Sequence, residues 1–370
     1  MDDIYTLQQE VGRGSYGVVF KGRVTETGWG GERGDTVAIK RLPCCNPESI
    51  ELYLQELWAM RITARNHPNV IALYNCLLQT GPRTLQPLKS GRLPLDLVES
   101  ALKGRVVDKD SKTQLRNPSR SKRRLMSTEE APRRCFALWL VMEYCEGGDL
   151  SQYILSRPPD AECNYAVVQQ LGSAIAFLHR HGIVHRDIKP DNVLVCLTKT
   201  GPVMKVADFG LSKMVDNPTD GVQSRLALSS TCGSDFYMAP EVWAGRSYTA
   251  QADIFSLGVL FWAVLERITF HRIAPIKNNS GITSVSCLFC GVLGAYVMRG
   301  RWLIPLGEAL CQTPDLQLII PMRARRAPPL PPPPNPAMCE LLMDMLDSDP
   351  DIRPTADQLG KRVRRAIEVH

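Results

Sequence analysis

His185-Arg186-Asp187-Ile188-Lys189-Pro190-Asp191-Asn192, followed a little later by Val206-Ala207-Asp208-Phe209-Gly210, is the stretch on which the fold turns. An H-R-D-x-x-x-x-N loop with a D-F-G beyond it has a joint mechanical reading. One carboxylate takes a proton from a hydroxyl, while an amide and a second carboxylate hold magnesium on a nucleoside triphosphate. Asp187 is the candidate base, and Asn192 and Asp208 are the candidate metal ligands. The reaction class implied is phosphoryl transfer.

Other parts that such chemistry needs precede this stretch in order. Val11-Gly12-Arg13-Gly14-Ser15-Tyr16-Gly17-Val18-Val19 follows an alternating segment and leads into another. Glycines let a backbone turn tightly and bring its N–H groups close to phosphate oxygens, where a Cβ would obstruct. The same glycine spacing opens a helix in dinucleotide folds, but Val18, Val19 and Phe20 read as a returning strand, so a hairpin lid is expected. Val37-Ala38-Ile39-Lys40 ends an apolar run in one lysine, either a phosphate contact or a surface lysine at a strand end. Leu54, Leu57, Trp58 and Ile62 then suit an amphipathic helix. Glu56 within it is the favoured partner for Lys40. Glu51 competes, although it lies nearer the helix start, where the macrodipole alone explains a carboxylate.

These residues resemble the eukaryotic protein kinases, and the resemblance runs over nearly the whole chain. Ala239-Pro240-Glu241 looks like the end of the activation segment, Asp253-Ile254-Phe255-Ser256-Leu257-Gly258 like the start of the buried central helix, and Arg353 like the late arginine that pairs with Glu241. The resemblance implies an α+β, bilobal kinase fold. Residues 1–142 would be an N-lobe of antiparallel sheet plus one helix, with a loop insertion at about 79–134. Residues 143–370 would be the hinge and a mainly helical C-lobe, with an apolar insertion at about 280–298 and a polyproline segment at 325–336.

The family's roles carry over position by position, with ATP and Mg2+ as the implied cofactors. Asp187 would orient the acceptor hydroxyl and take its proton, Asn192 and Asp208 would bind magnesium, and Lys40 would contact the α- and β-phosphates, steadied by Glu56. Lys189 would touch the transferring phosphate and neutralise charge as the bond breaks. Nucleotide contacts are implied at Val11, Gly12, Gly14, Ser15, Gly17, Val19 and Lys40, and at Glu143 and Cys145 in a hinge-like Met142-Glu143-Tyr144-Cys145 whose Met142 would be the gatekeeper. Lys189 in the loop, with Ser234 placed to bond it and Asp187, implies serine/threonine rather than tyrosine acceptors. A kinase-fold adaptor that binds partners and catalyses nothing is the alternative. Retention of Lys40, Asp187, Asn192 and Asp208 argues against it.

Composition suits one large soluble enzyme: 370 residues, 44% of them apolar, are enough for a two-lobed core. The acidic Met1-Asp2-Asp3 is not a signal-peptide start, so the 12 cysteines are expected to be reduced thiols. Cys287-Leu288-Phe289-Cys290 lacks a second pair at zinc spacing, and Cys145 is either a thiol near the nucleotide or inert. Nucleic-acid binding has only a net charge of +6 behind it, and no membrane span is expected.

Three stretches exceed a minimal kinase. The insertion at about 79–134 carries Arg116-Asn117-Pro118-Ser119-Arg120-Ser121-Lys122-Arg123-Arg124, an import signal, an anion-binding patch or simply a solvated loop, with Ser127 as a weak site for a basophilic kinase. The apolar 280–298 stretch reads as an insertion leading into a C-lobe helix. Arg325-Arg326-Ala327-Pro328-Pro329-Leu330-Pro331-Pro332-Pro333-Pro334 should adopt polyproline II, either as a stiff connector to helices near 338–346 and 354–367 or as an SH3/WW-type ligand.

Within the kinases, the runs Val11-Gly12-Arg13-Gly14-Ser15-Tyr16-Gly17-Val18-Val19, Ser100-Ala101-Leu102-Lys103-Gly104, Cys232-Gly233-Ser234-Asp235-Phe236-Tyr237-Met238-Ala239-Pro240-Glu241-Val242-Trp243, Leu265-Glu266-Arg267-Ile268-Thr269-Phe270 and Pro305-Leu306-Gly307-Glu308-Ala309-Leu310 resemble the PDZ-and-LIM-interacting kinases. That resemblance implies protein substrates, a PDZ–LIM adaptor as partner, and a place in the nucleus and/or cytoplasm. Arg186, as in the family, would pair with a phosphate on the activation segment; Ser224, Ser229, Ser230 and Thr231 are the acceptors, Ser230 or Thr231 by position. Alternatively, that segment is ordered without phosphate.

Overall fold

The computed structural model describes residues 4–14, 17–26, 32–44, 47–63, 66–79, 85–88, 137–215, 234–267, 269–277, 283–293, 296–299, 302–312 and 336–368. The chain divides into two compact units, Met1–Trp58 with Ala72–Tyr144, and Ala59–Ile71 with Cys145–His370.

In the first unit, β1 (Tyr5–Gly14), β2 (Gly17–Val24) and β3 (Thr36–Pro43) precede helix α1 (Pro47–Thr63), and β4 (Leu73–Gln79), β5 (Leu85–Pro87) and β6 (Ala137–Glu143) follow it. The strands form one sheet in the order β1-β2-β3-β6-β4-β5, antiparallel throughout. Successive side chains of a strand point to opposite faces. On β3, Val37 and Ile39 therefore enter a cluster with Tyr5, Val24, Leu77, Trp139 and Val141, while Lys40 is turned the other way. Burying each such large apolar side chain contributes roughly 1.5–3 kcal/mol. The insertion expected from residue 79 contains an edge strand, since Leu85 and Pro87 of β5 pair with Gln79 and Leu77 of β4. A proline is tolerated there because an edge strand can forgo a ladder donor. Most of that insertion, including its basic run and Ser127, lies outside the described residues.

The second unit holds helices α2 (Leu150–Leu155) and α3 (Ala161–Arg180), then short strands β7 (Ile183–Val184), β8 (Val193–Thr198), β9 (Gly201–Val206) and β10 (Lys213–Met214). Helices α4 (Pro240–Trp243) and α5 (Gln251–Glu266) come next, and β11 (Thr269–Lys277), β12 (Thr283–Leu293), β13 (Tyr296–Arg299) and β14 (Trp302–Pro305) lead to α6 (Leu306–Gln312), α7 (Pro336–Met345) and α8 (Ala356–Glu368). Only Gln251 and Ser256 of α5 escape full burial, the mark of a helix at the centre of a core. Asp160 caps α3 by accepting from the amides of Glu162 and Cys163. Thr355 and Gln358 exchange side-chain-to-backbone bonds at the start of α8, a capping box that fixes where this helix begins. Leu359, Val363 and Ala366 are its buried stripe, and Gly172 on α3 lets Val363 approach where a Cβ would stand 3.2 Å from its methyl.

The 280–298 stretch supplies β12, paired with β11, and most of β13, and leads through β14 into helix α6 at Leu306. Thr283, Val285, Val292 and the aromatic Phe289 favour a pleated strand, and the stretch has no helical apolar repeat. Cys287 and Cys290 fall on β12, where side chains lie outside the description. Pro336, counted with the polyproline segment, is instead the first residue of α7, where a missing N–H costs nothing. The rest of that segment lies outside the described residues. Among those described, no helix is long and apolar enough to cross a membrane.

Candidate active site

The glycine-rich segment is a hairpin: Gly12 stands opposite Val19, Arg13 opposite Val18 and Gly14 opposite Gly17. Ser15 lies outside the described residues. Gly17 needs its missing side chain, because a Cβ there would collide with the Arg41 carbonyl on β3. Val11 is exposed at the strand edge and Val19 is half-buried, paired with Lys40 across β2 and β3. Lys40 donates from Nζ to Glu56 Oε1 at 2.6 Å. Glu51 is exposed and Glu56 is buried, so the pairing left open by sequence falls to Glu56. At the end of β6, the Glu143 side chain accepts from the Ala72 amide at 2.6 Å, and its own amide donates to the Ala72 carbonyl. This role as a side-chain clamp was not legible beforehand.

In the second unit the catalytic-loop residues converge on one carboxylate. Asp187 Oδ2 accepts from Lys189 Nζ at 2.8 Å and from Asn192 Nδ2 at 2.8 Å, while its Oδ1 accepts from the Ser234 hydroxyl at 3.0 Å. Lys189 also donates to Ser234 Oγ at 2.6 Å, closing a ring of three side chains. Asn192 uses Nδ2 for a further bond to the Asp187 carbonyl at 2.8 Å. Asp208 adopts a left-handed backbone (φ 59°, ψ 75°), as does Arg186 (φ 70°). Such positions cost a non-glycine residue roughly 1–3 kcal/mol and persist only where the surroundings over-determine them. Here the restraints are explicit. Ala207 N donates to Asn192 O, His185 bonds the Ala207 carbonyl through Nε2, and Phe209 is fully buried with its ring 5.1 Å from that of His185. The Asp187 amide donates to His185 Nδ1, so the ring proton sits on Nε2.

What the sequence did not reveal is the anchor beneath this loop. Asp253, near the start of α5, accepts from the His185 amide through Oδ2 and from the Arg186 amide through Oδ1, both at 2.8 Å. His179 on α3 approaches the same carboxylate at 2.9 Å. Burial pushes the Asp253 carboxyl up, but the His179 hydrogen bond and charge, His185 and the Arg186 amide outweigh it and hold the group below the usual carboxylate range. A carboxylate in the first turn of a largely apolar helix was the available signal. Further along, Arg353 grips Glu241 through two bonds of 2.7 and 2.8 Å and also donates to the carbonyls of Asp347 and Gln251. Both partners are buried. Arg186 donates from Nε to the Tyr248 hydroxyl at 2.9 Å, and the four activation-segment acceptors lie outside the described residues. Cys145 is buried.

A family model described as protein kinase domain matches residues 121–363, and one described as protein tyrosine and serine/threonine kinase matches residues 5–100. The chain belongs to the protein kinase family. Similar kinases include the serine/threonine-protein kinase atg1 of Dictyostelium discoideum, 38% identical over 130 residues, which are 35% of this chain and 18% of that one. Serine/threonine-protein kinase ATG1b of Arabidopsis thaliana is 28% identical over 282 residues, 75% of this chain and 29% of its own length. The chain thus spans less than a third of either kinase. The narrower resemblance to the PDZ-and-LIM-interacting kinases is not carried by these matches and rests on the quoted runs alone.

Proposed function

We propose that this kinase domain transfers the γ-phosphate of ATP, with magnesium, to serine and threonine hydroxyls of proteins. The observation that carries this reading is the Asp187 carboxylate held at once by Lys189, Asn192 and Ser234. A carboxylate so fixed presents its oxygens in one orientation to an incoming hydroxyl, accepts the proton late and pays little reorganisation cost. Lys189, beside it, is placed to meet charge on the transferring phosphoryl group. The Asn192 amide oxygen and the Asp208 carboxylate fit magnesium, which prefers hard oxygen ligands. When bound, the metal neutralises charge on the phosphates. In the first unit, Lys40 steadied by Glu56 supplies the fixed ammonium that the α- and β-phosphates need.

Membership of the PDZ-and-LIM-interacting group, a PDZ–LIM adaptor, and action in the nucleus or cytoplasm are the narrower parts of the proposal, supported by the matching sequence runs. The core claim is tested by giving the purified chain and its Asp187→Asn variant γ-labelled ATP, with magnesium or with chelator. Serine-, threonine- and tyrosine-only peptides serve as acceptors. Incorporation into serine and threonine by the parent alone, and only with magnesium, is expected. Equal label from parent and variant would show that the chain is no kinase.

A further inference from the structure

Helices α3 and α8 wall a groove of about 720 Å³ that plays no part in the site above. Three cations line it, Arg180, Lys361 and Arg364, against one carboxylate, Asp357. Asp357 lies in the first turn of α8, where the helix dipole already accounts for it. All three cations are exposed, and none has an ion-pair partner among the described residues. The two arginines are set alike. Arg180 donates Nε to the Ala176 carbonyl and Arg364 donates Nε to the Gly360 carbonyl, each one turn back along its helix. That bond fixes the guanidinium plane and leaves the terminal nitrogens as a fork, the geometry that binds carboxylates. The charge of Arg180 reaches His67, whose pKa is held below the ordinary histidine value by burial and then by Arg180 and Lys205.

Gly360 is an independent observation. It sits inside α8, where glycine weakens a helix relative to alanine, yet a Cβ built there would meet nothing within 4 Å. Gly172 and Gly258 each sit against a packed neighbour, so packing explains them, and it does not explain Gly360. Gly360 lines the groove, and a side chain there would project into open space.

We propose that this groove docks an acidic segment of a protein partner, with its carboxylates on the Arg180 and Arg364 forks and its backbone passing over Gly360. The test uses the full chain and fluorescence anisotropy with a labelled peptide of alternating glutamate and glycine, set against its glutamine counterpart. The glutamate peptide should bind, weaken with salt, and lose about tenfold or more in affinity to the double variant Arg180→Glu/Arg364→Glu, as expected for two charge-assisted forks. Gly360→Gln, which fills the groove without changing charge, should cause a comparable loss, whereas Gly360→Ala should retain binding. Arg365→Glu, on the same helix outside the groove, should leave affinity unchanged, as should phosphotransfer to a generic peptide in every variant. Failure of the glutamate peptide to bind, equal binding of the glutamine peptide, or an equal loss in Arg365→Glu would overturn the proposal. So would phosphatidylserine vesicles that bind more tightly than the peptide and are released by the same groove variants, since the groove would then serve a membrane.

Discussion

Replacing Arg353 with methionine should be among the most damaging single changes in the second unit. The guanidinium makes two bonds to Glu241, one to the Asp347 carbonyl and one to the Gln251 carbonyl, and its Cζ lies 5.0 Å from the Phe255 ring centre. Methionine keeps much of the stem volume and deletes all four bonds. The dominant loss is the stranded Glu241 carboxylate, which is only 6% exposed. Breaking a buried pair from one side costs about 3–5 kcal/mol. At roughly 2–4 °C per kcal/mol for domains of this size, melting should fall by about 6–20 °C. Replacing both partners with methionine removes the stranded charge as well, so the double variant should melt closer to the parent than Arg353→Met does. Differential scanning calorimetry of the parent, both single variants and the double variant closes the cycle. A single variant melting within about 2 °C of the parent, or a double variant no better than Arg353→Met, would refute the reasoning, because either means that Glu241 was never dependent on its partner.

Four further outcomes follow from the same geometry. Glu56→Gln removes the charged partner of Lys40, and since a hydrogen bond to a charged group is worth about 1.5–3 kcal/mol, kcat/KM for ATP should drop about 10- to 100-fold; steady-state kinetics unchanged within threefold would count against the pair. The folded-state carboxyl of Asp253 lies below the value of about 3.9 of an unfolded aspartate, so it adds stability above that pH and loses it as pH falls through the folded value. Asp253→Asn should therefore flatten the acid limb of the stability profile below about pH 4, besides cutting activity, and an acid limb as steep as the parent's would contradict this. Gly17→Ala must push β2 away from the Arg41 carbonyl, an overpacking cost of about 1–3 kcal/mol that should appear as lower melting and weaker ATP saturation. Gly258→Ala sets a Cβ 2.9 Å from that of Met345 and should destabilise by a similar 1–3 kcal/mol or so, with KM for ATP unaffected.

Asp187, Lys189 and Asn192 could be read in advance because one short loop carries all three, so their spacing in sequence is nearly their spacing in space. Lys40 could be read as half of a pair, but its partner could not be fixed. Glu51 and Glu56 lie on the same helix, and only the docking of α1 on the sheet decides which one faces β3. Glu241 and Arg353 are 112 residues apart, beyond any local signal, and were reached only through the family resemblance. Asp253 was seen as a helix start, but its acceptance of two loop amides depends on how α5 packs beneath that loop. The strand β5 escaped notice because three residues carry too little periodicity, and β12 because a run of serine, glycine and apolar residues has no clear repeat.

The two amides seated on Asp253 bear on how this molecule comes apart. An amide hydrogen exchanges with solvent only when its hydrogen bond opens, and core elements open at a free energy approaching that of global unfolding. Catalytic loops are commonly drawn from the least protected parts of a fold, but His185 and Arg186 donate to a carboxylate embedded in the most buried helix of the second unit. Their exchange should therefore be as slow as that of the α5 interior, and heating should abolish catalysis and the core together rather than the loop first.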